Sequence, residues 1–183
     1  MIFFINFDII VLVICLEKIN LRKFNLNDYI KKIFENKDYS FNYVFTSKSV
    51  DDTNLLAYTF AKYLRKKDII VLNGELGSGK TVFVNSIAKY FNVDNQVSSP
   101  TFTIVNEYDL KNNDKIFHFD VYRIEDSVDF EDSIGTEYFS NGICIIEWGN
   151  IIKDILPKNT VFIDIKKDEM DDNTRHFNIW RNV

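Results

Sequence analysis

The sequence predicts an α/β protein built on a mixed, mainly parallel β-sheet with helices on its faces. Three observations carry this expectation. Asp68-Ile69-Ile70-Val71-Leu72-Asn73 and Ile143-Cys144-Ile145-Ile146 are apolar, β-branched runs without alternation, the pattern of strands buried on both faces. They are interleaved with stretches whose apolar residues recur at helical spacing. One strand also runs through a glycine-rich loop straight into a helix.

The elements follow in order. Met1 to Leu16 is almost wholly apolar, yet it is shorter than the roughly 20 residues of a spanning helix. It contains Asn6 and Asp8 and has no Lys or Arg ahead of its apolar stretch, so an extra packed element or an extension is expected rather than a signal peptide or membrane anchor. Asn27 can cap a helix through Asn36, with Tyr29, Ile30, Ile33 and Phe34 on one face. Residues 1–41 are therefore set apart as an N-terminal extension from a working domain over residues 42–183. Removing residues 1–38 is expected to leave a folded nucleotide-binding domain, with a modest loss of stability if the capped helix packs on the sheet.

From Asn42 the pattern is regular. Asn42 to Phe45 reads as a strand, and Ser49 caps a helix from about Val50 to Arg65 with Leu55, Leu56, Phe60, Ala61 and Leu64 on one face. The strand Asp68 to Asn73 precedes the glycine loop, and Val82 to Phe91 is the helix that follows it. Ser98-Ser99-Pro100 leads to a strand over Thr101 to Tyr108, and a turn at Lys111 to Asp114 leads to a second over Ile116 to Tyr122. That hairpin places one strand antiparallel to the main sheet. Glu125 to Tyr138 is acidic and helical in parts. Ile143 to Ile146 ends at Glu147-Trp148-Gly149, and Val161 to Ile165 with His176 to Trp180 forms a closing hairpin around a polar connection.

Gly74-Glu75-Leu76-Gly77-Ser78-Gly79-Lys80-Thr81 fits G-x-x-x-x-G-K-[ST] at every fixed position. The glycines permit positive φ and keep side chains out of the way, so backbone N–H groups from Glu75 to Val82 can converge on phosphate at a helix N-terminus. Lys80 supplies a mobile charge for the terminal phosphates, and Thr81 a hydroxyl ligand for the Mg²⁺ that travels with the nucleotide. This narrows the fold to a P-loop NTPase-type three-layer sandwich.

The net charge of −5 argues against a protein that grips nucleic acid by its backbone. Cys15 and Cys144 belong to no C-x-x-C pair, Cys144 reads as a core residue, and His118 and His176 are isolated, so a zinc site is set aside and reduced cytoplasm fits.

Two acids end apolar strands, where the second metal-organising group of such an enzyme belongs. Asp120 follows Ile116 to Phe119, and Glu147 follows Ile143 to Ile146. Each is a candidate for organising Mg²⁺ with Thr81 or for polarising the attacking water; the alternative is an acid that caps a turn. Thr101 is a candidate γ-phosphate sensor, against the alternative of an ordinary Ser/Pro turn. Arg123 is either a charge stabiliser or a partner for Glu125 or Asp126. Trp148 is expected beside the nucleotide, Trp180 in the closing hairpin.

Four motifs in order, namely the glycine loop, Ser99-Pro100-Thr101-Phe102-Thr103, His118-Phe119-Asp120-Val121-Tyr122-Arg123 and Ile146-Glu147-Trp148-Gly149, resemble those of the TsaE family, formerly called YjeE. The resemblance covers roughly Asn42 to Ile165. It implies a small ATPase that works with the TsaB and TsaD proteins in the threonylcarbamoyl modification of adenosine in the anticodon loop of tRNAs reading codons that begin with A. It further implies that Lys80 binds phosphate, Thr81 and Glu147 organise Mg²⁺, Asp120 assists at the metal or water, Ser99 to Thr103 form a switch-like loop, and tRNA is met through the partners.

Other uses of a phosphate loop compete with this reading. A small-molecule kinase needs an acceptor pocket and usually an arginine-bearing lid, yet only Arg123 lies between Thr81 and Glu147. A GTPase lacks its N-K-x-D motif after the loop. A non-hydrolysing nucleotide sensor stays open, since hydrolysis depends on fine placement of water.

Overall fold

The computed structural model describes residues 19–93, 97–111 and 113–181. Met1 to Leu16, with Cys15, lies outside them. In chain order the elements are α1 (Ile19–Glu35), β1 (Phe41–Ser47), α2 (Val50–Tyr63), β2 (Ile69–Asn73), α3 (Lys80–Tyr90), β3 (Val105–Asp109), β4 (Lys115–Asp120), α4 (Ser127–Ser133), α5 (Tyr138–Asn141), β5 (Ile143–Glu147), the 3₁₀ segment η1 (Gly149–Ile155), β6 (Val161–Lys167) and β7 (Arg175–Arg181).

The seven strands form one sheet in the order β1-β7-β6-β2-β5-β4-β3. The four central strands β6, β2, β5 and β4 are parallel, while β3 pairs antiparallel with β4 on one flank and β7 and β1 extend the other flank antiparallel. Every residue of β2 and β5 is buried, as their unbroken apolar runs require. Side chains alternate between two cores. Ile70, Leu72, Ile116, Ile143, Ile145 and Ile163 meet α1, α2 and α3, whereas Val71, Phe117, Phe119, Cys144, Ile146 and Phe162 meet the α4, α5 and η1 layer. This is the expected three-layer sandwich with a mixed, mainly parallel sheet. Burial pushes the Cys144 thiol up to about 12, as for a packing residue.

Local rules set the helix ends. The Ser49 hydroxyl accepts from the Asp52 amide at 3.1 Å while the Asp52 carboxylate accepts from the Lys48 amide at 2.9 Å, a reciprocal cap at the start of α2. The strand expected from Thr101 begins only at Val105. Pro100 O accepts from both the Thr103 and Ile104 amides, and Ile104 sits at φ 65°, so residues 101–104 close a turn instead of extending.

The helix expected over Asn27 to Asn36 starts earlier, at Ile19, and its later turns are core. Leu26, Ile30, Ile33 and Phe34 are buried, and Phe34 meets Phe60 edge-on at 5.7 Å. Arg181, 3% exposed, donates at 3.0 Å each to the carbonyls of Ile33, Asn36 and Lys37, capping the end of α1 from the last strand. The packing of Leu26 to Lys37 bears on the truncation of residues 1–38. Deletion of residues 1–38 is expected to destabilise severely, since four apolar side chains at about 1.5–3 kcal/mol each are lost. Arg181→Met alone is expected to lower unfolding stability by about 2–3 kcal/mol by leaving those carbonyls without a charged donor. An unchanged urea midpoint in Arg181→Met would refute the cap. No helix among the described residues is long and apolar enough to cross a membrane.

Candidate functional site

The phosphate loop leaves β2 at the carboxyl edge of the sheet. Gly74, Gly77 and Gly79 have φ of 151°, 74° and 109°. At Gly74 the requirement is also steric, since a Cβ would stand 2.4 Å from the Ile165 carbonyl oxygen. Gly79 is the N-cap of α3 and provides no side-chain cap, so the first-turn N–H groups of the helix are left for another acceptor. Ser78 Oγ is buried and has no hydrogen-bond partner among the described residues. An uncapped helix start and an orphaned hydroxyl in a glycine cradle are the features expected of an anion site. Glu75, Leu76 and Val82 lie exposed on the outside of the loop and helix, Leu76 at 86%.

Lys80 is 5% exposed. Its Nζ donates to the carbonyls of Gly74 at 2.8 Å and Glu75 at 3.1 Å, and lies 4.2 Å from the centroid of the Trp148 ring. Burial lowers its pKa below the ordinary 10.5, opposed by Glu147, then Asp120 and Glu75. Trp148 holds this position at φ 66°, an unfavourable conformation for a bulky residue, and its indole also meets the Tyr122 ring at 5.1 Å.

The two strand-end acids stand side by side, because Asp120 pairs with Glu147 in the parallel β4–β5 register. Both are buried. Their partners differ. Glu147 Oε1 accepts the Thr81 hydroxyl at 3.0 Å and faces His118 Nε2 at 3.0 Å, whereas Asp120 Oδ2 accepts the hydroxyls of Ser99 at 2.7 Å and Thr101 at 2.8 Å. The Tyr122 amide donates to the other Asp120 oxygen at 3.2 Å. Glu147 is thus tied to the phosphate loop and Asp120 to the 99–101 turn.

Among the residues that sequence reasoning passed over, His118 is fully buried on β4. Its Nε2–H donates to the Glu147 carboxylate, and Nδ1 has no partner among the described residues. The signal was present in the two-residue period that puts Ile116, His118 and Asp120 on one strand face. Lys167 and Arg175 were also missed. Lys167 Nζ donates to the Leu76 carbonyl at 3.0 Å and Arg175 Nε to the Ser78 carbonyl at 3.1 Å, so the β6–β7 hairpin grips the outside of the loop. Arg123 stacks over the exposed Phe102 ring at 4.7 Å. A cleft of about 390 Å³ lined by Glu107, Lys115, Phe117 and Tyr138 opens at the other end of β4 from Asp120. No cluster of three or more His, Cys, Asp and Glu side chains arranged to hold a metal ion occurs among the described residues.

Trp148 offers a direct probe. Trp180 is stacked on Phe162 at 4.4 Å and donates to Asp164. In a Trp180→Phe protein the remaining indole lies under Lys80, so drawing that ammonium onto phosphate is expected to change its emission when Mg-ATP is added. A spectrum unmoved at saturating nucleotide would contradict this placement.

Comparison with known proteins gives a consistent likeness. Residues 47–177 match the family described as threonylcarbamoyl adenosine biosynthesis protein TsaE. A tRNA threonylcarbamoyladenosine biosynthesis protein TsaE from Bacillus subtilis is 38% identical over 121 residues, 64% of this chain and 73% of that protein. The protein of the same name from Rickettsia bellii is 36% identical over 72% of this chain and 90% of its own length. That from Aquifex aeolicus is 43% identical over 55% and 72%. Among solved structures, the crystal structure of YdiB from Bacillus subtilis superposes with a TM-score of 0.64 at 28% identity, covering 78% of this chain and 87% of that one.

Proposed function

The chain belongs to the TsaE family, and from that premise we propose that it is the ATP-hydrolysing component of tRNA threonylcarbamoyladenosine biosynthesis. The observation that carries the hydrolytic part is the 3.0 Å bond from Thr81 to Glu147, which joins the hydroxyl of the phosphate loop to the acid at the end of the neighbouring strand. In this reading the N-terminus of α3 and the amides of residues 75–82 bind the phosphates, and Lys80 leaves the carbonyls of Gly74 and Glu75 for them. Thr81, Glu147 and Asp120 are the residues that would hold Mg²⁺, which would supply neutralisation of phosphate charge. Glu147, fixed by Thr81 and His118, orients the attacking water. Thr101 and Ser99, released from Asp120, give the 99–103 turn its response to the terminal phosphate.

The partners in this reading are TsaB and TsaD, with tRNA reached through them, in the cytoplasm. A chain of net charge −5 fits a component that does not hold tRNA itself. Phe102, 85% exposed on the turn latched to Asp120, and the acidic stretch from Glu125 to Glu137 are the contact surfaces that suit a nucleotide-dependent docking. Turnover of ATP by the chain alone is expected to be slow, and about tenfold or more faster with a TsaB–TsaD complex. Phosphate release measured against added complex decides this. Absence of both stimulation and co-migration in Mg-ATP would overturn the partnership, and charge reversal at Asp129 and Glu131 tests the acidic surface separately.

A further inference from the structure

Resting on the hydrolytic reading of the site, we infer that Asn73 is a positioning residue: its carboxamide, held by Asp164, pins the turn after Glu147 to the foot of the phosphate loop and so keeps Trp148 over Lys80. Asn73 is the last residue of β2, immediately ahead of Gly74, and is 9% exposed. A carboxamide buried there needs partners at both ends. Its Nδ2 donates to Asp164 Oδ1 at 3.0 Å, and its Oδ1 accepts from the Asn150 amide at 3.3 Å. The orientation is fixed, because a carboxylate accepts and a backbone amide donates, so the side chain can meet both in one sense only. Trp180 Nε1 donates to the other Asp164 oxygen at 2.7 Å, and Asp164 lies beside Asn73 in the parallel β2–β6 register, so the carboxylate is steadied from its far side. An acid in place of Asn73 would set like charge against Asp164, and an apolar residue would leave the Asn150 amide without this acceptor.

The bond to Asn150 matters because of where it falls. Trp148 is the N-cap of η1 and offers that segment no side-chain cap, so Asn73 accepts from an early amide of η1 in place of one. Trp148 sits at φ 66°, and a bulky residue stays in the left-handed region only where its surroundings hold it. Those surroundings are the end of β2. The Trp148 amide donates to the Leu72 carbonyl at 2.9 Å, Gly149 lies so close that a Cβ on it would stand 2.9 Å from Val71 Cγ1, and Asn73 takes the Asn150 amide. Of these contacts only the last uses a polar side chain, and that side chain belongs to the residue from which the phosphate loop departs. Without it the turn loosens from Trp148 onward, which takes the indole off Lys80 and slackens the chain next to Glu147.

The test exchanges the two partners. Asn73→Asp keeps an acceptor for Asn150 but turns a carboxylate on Asp164, whereas adding Asp164→Asn restores a donor between the two positions and an acceptor at each end. Amide hydrogen exchange is measured on the full chain without nucleotide, and phosphate release over a range of Mg-ATP concentrations. Asn73→Asp is expected to speed exchange within residues 148–152 about tenfold and to lower kcat about tenfold, with KM changed less than about threefold. The double variant is expected to return both quantities to within about threefold of the natural chain. Asn73→Ala, which brings in no charge, reads the same two quantities should the acidic variant not fold, with the same changes expected. Unchanged exchange within residues 148–152 would overturn the pin. Faster exchange with the natural kcat would leave Asn73 a structural contact and overturn its positioning role, as would a folded double variant that recovers neither quantity. A natural chain that releases no phosphate from Mg-ATP would instead sink the hydrolytic reading, while the exchange result would still decide the pin.

Discussion

Lys80→Ala is expected to weaken Mg-ATP binding and turnover by about 30- to 1,000-fold, the equivalent of roughly 2–4 kcal/mol for a charged contact to phosphate in a site shielded from water. The same substitution is not expected to unfold the chain. Without ligand the Lys80 ammonium is buried against Trp148 and bonded only to carbonyls, and burial is the largest influence on its pKa, which it lowers. A lysine whose folded value is depressed binds fewer protons folded than unfolded. Its charge therefore works against the fold at neutral pH, and stability recovers as pH rises from the depressed value through the ordinary 10.5. Lys80→Met, which keeps the aliphatic length and removes the charge, is expected to move the urea midpoint at pH 7 only slightly, because relief of the buried charge offsets the loss of the bonds to Gly74 and Glu75, while losing nucleotide as Lys80→Ala does. A Lys80→Met chain that is clearly less stable and still binds ATP would show that the lysine serves the fold and not the phosphates.

Much of this arrangement is legible in the sequence, for reasons that also mark where legibility stops. The glycine loop, the buried strands β2 and β5 and the capped α2 are set by neighbours in the chain: φ restrictions, apolar runs and a Ser49–Asp52 cap. Asp120 and Glu147 were recognisable because a strand-end acid beside a phosphate loop has few structural uses. The distinct partners of the two acids were not, since the Ser99 and Thr101 bonds to Asp120 depend on a turn at Pro100 that shortens β3. His118 looked like an isolated histidine because its partner Glu147 is 29 residues away and on another strand. Arg181 and α1 show the same limit on a larger scale. A helix that periodicity places at the periphery is fixed by a guanidinium 145 residues from Asn36, and periodicity reports nothing of such a contact. Lys167 and Arg175, too, meet the loop only because a hairpin folds back over it.

Glu147→Gln is expected to separate nucleotide binding from hydrolysis. Its Oε1 accepts from Thr81 and faces His118, and an amide oxygen accepts both bonds, so the side chain keeps its place. What is lost is the negative charge. Nucleotide affinity is therefore expected to change by only a few-fold, while phosphate release falls by about 100-fold or more for want of a carboxylate to hold metal and water. Asp120→Asn removes a charge beside the same metal position and also loosens a latch, since Asp120 accepts from Ser99 and Thr101 and from the Tyr122 amide. An amide turned with its NH₂ toward the two hydroxyls weakens that latch, so faster proteolysis or hydrogen exchange within residues 99–104 is expected, with a smaller fall in the intrinsic rate than for Glu147→Gln. The two variants together assign the chemistry. If Glu147→Gln turned over ATP normally and Asp120→Asn did not, the water-orienting role would belong to Asp120, and the Thr81–Glu147 bond would be a strut between the loop and β5.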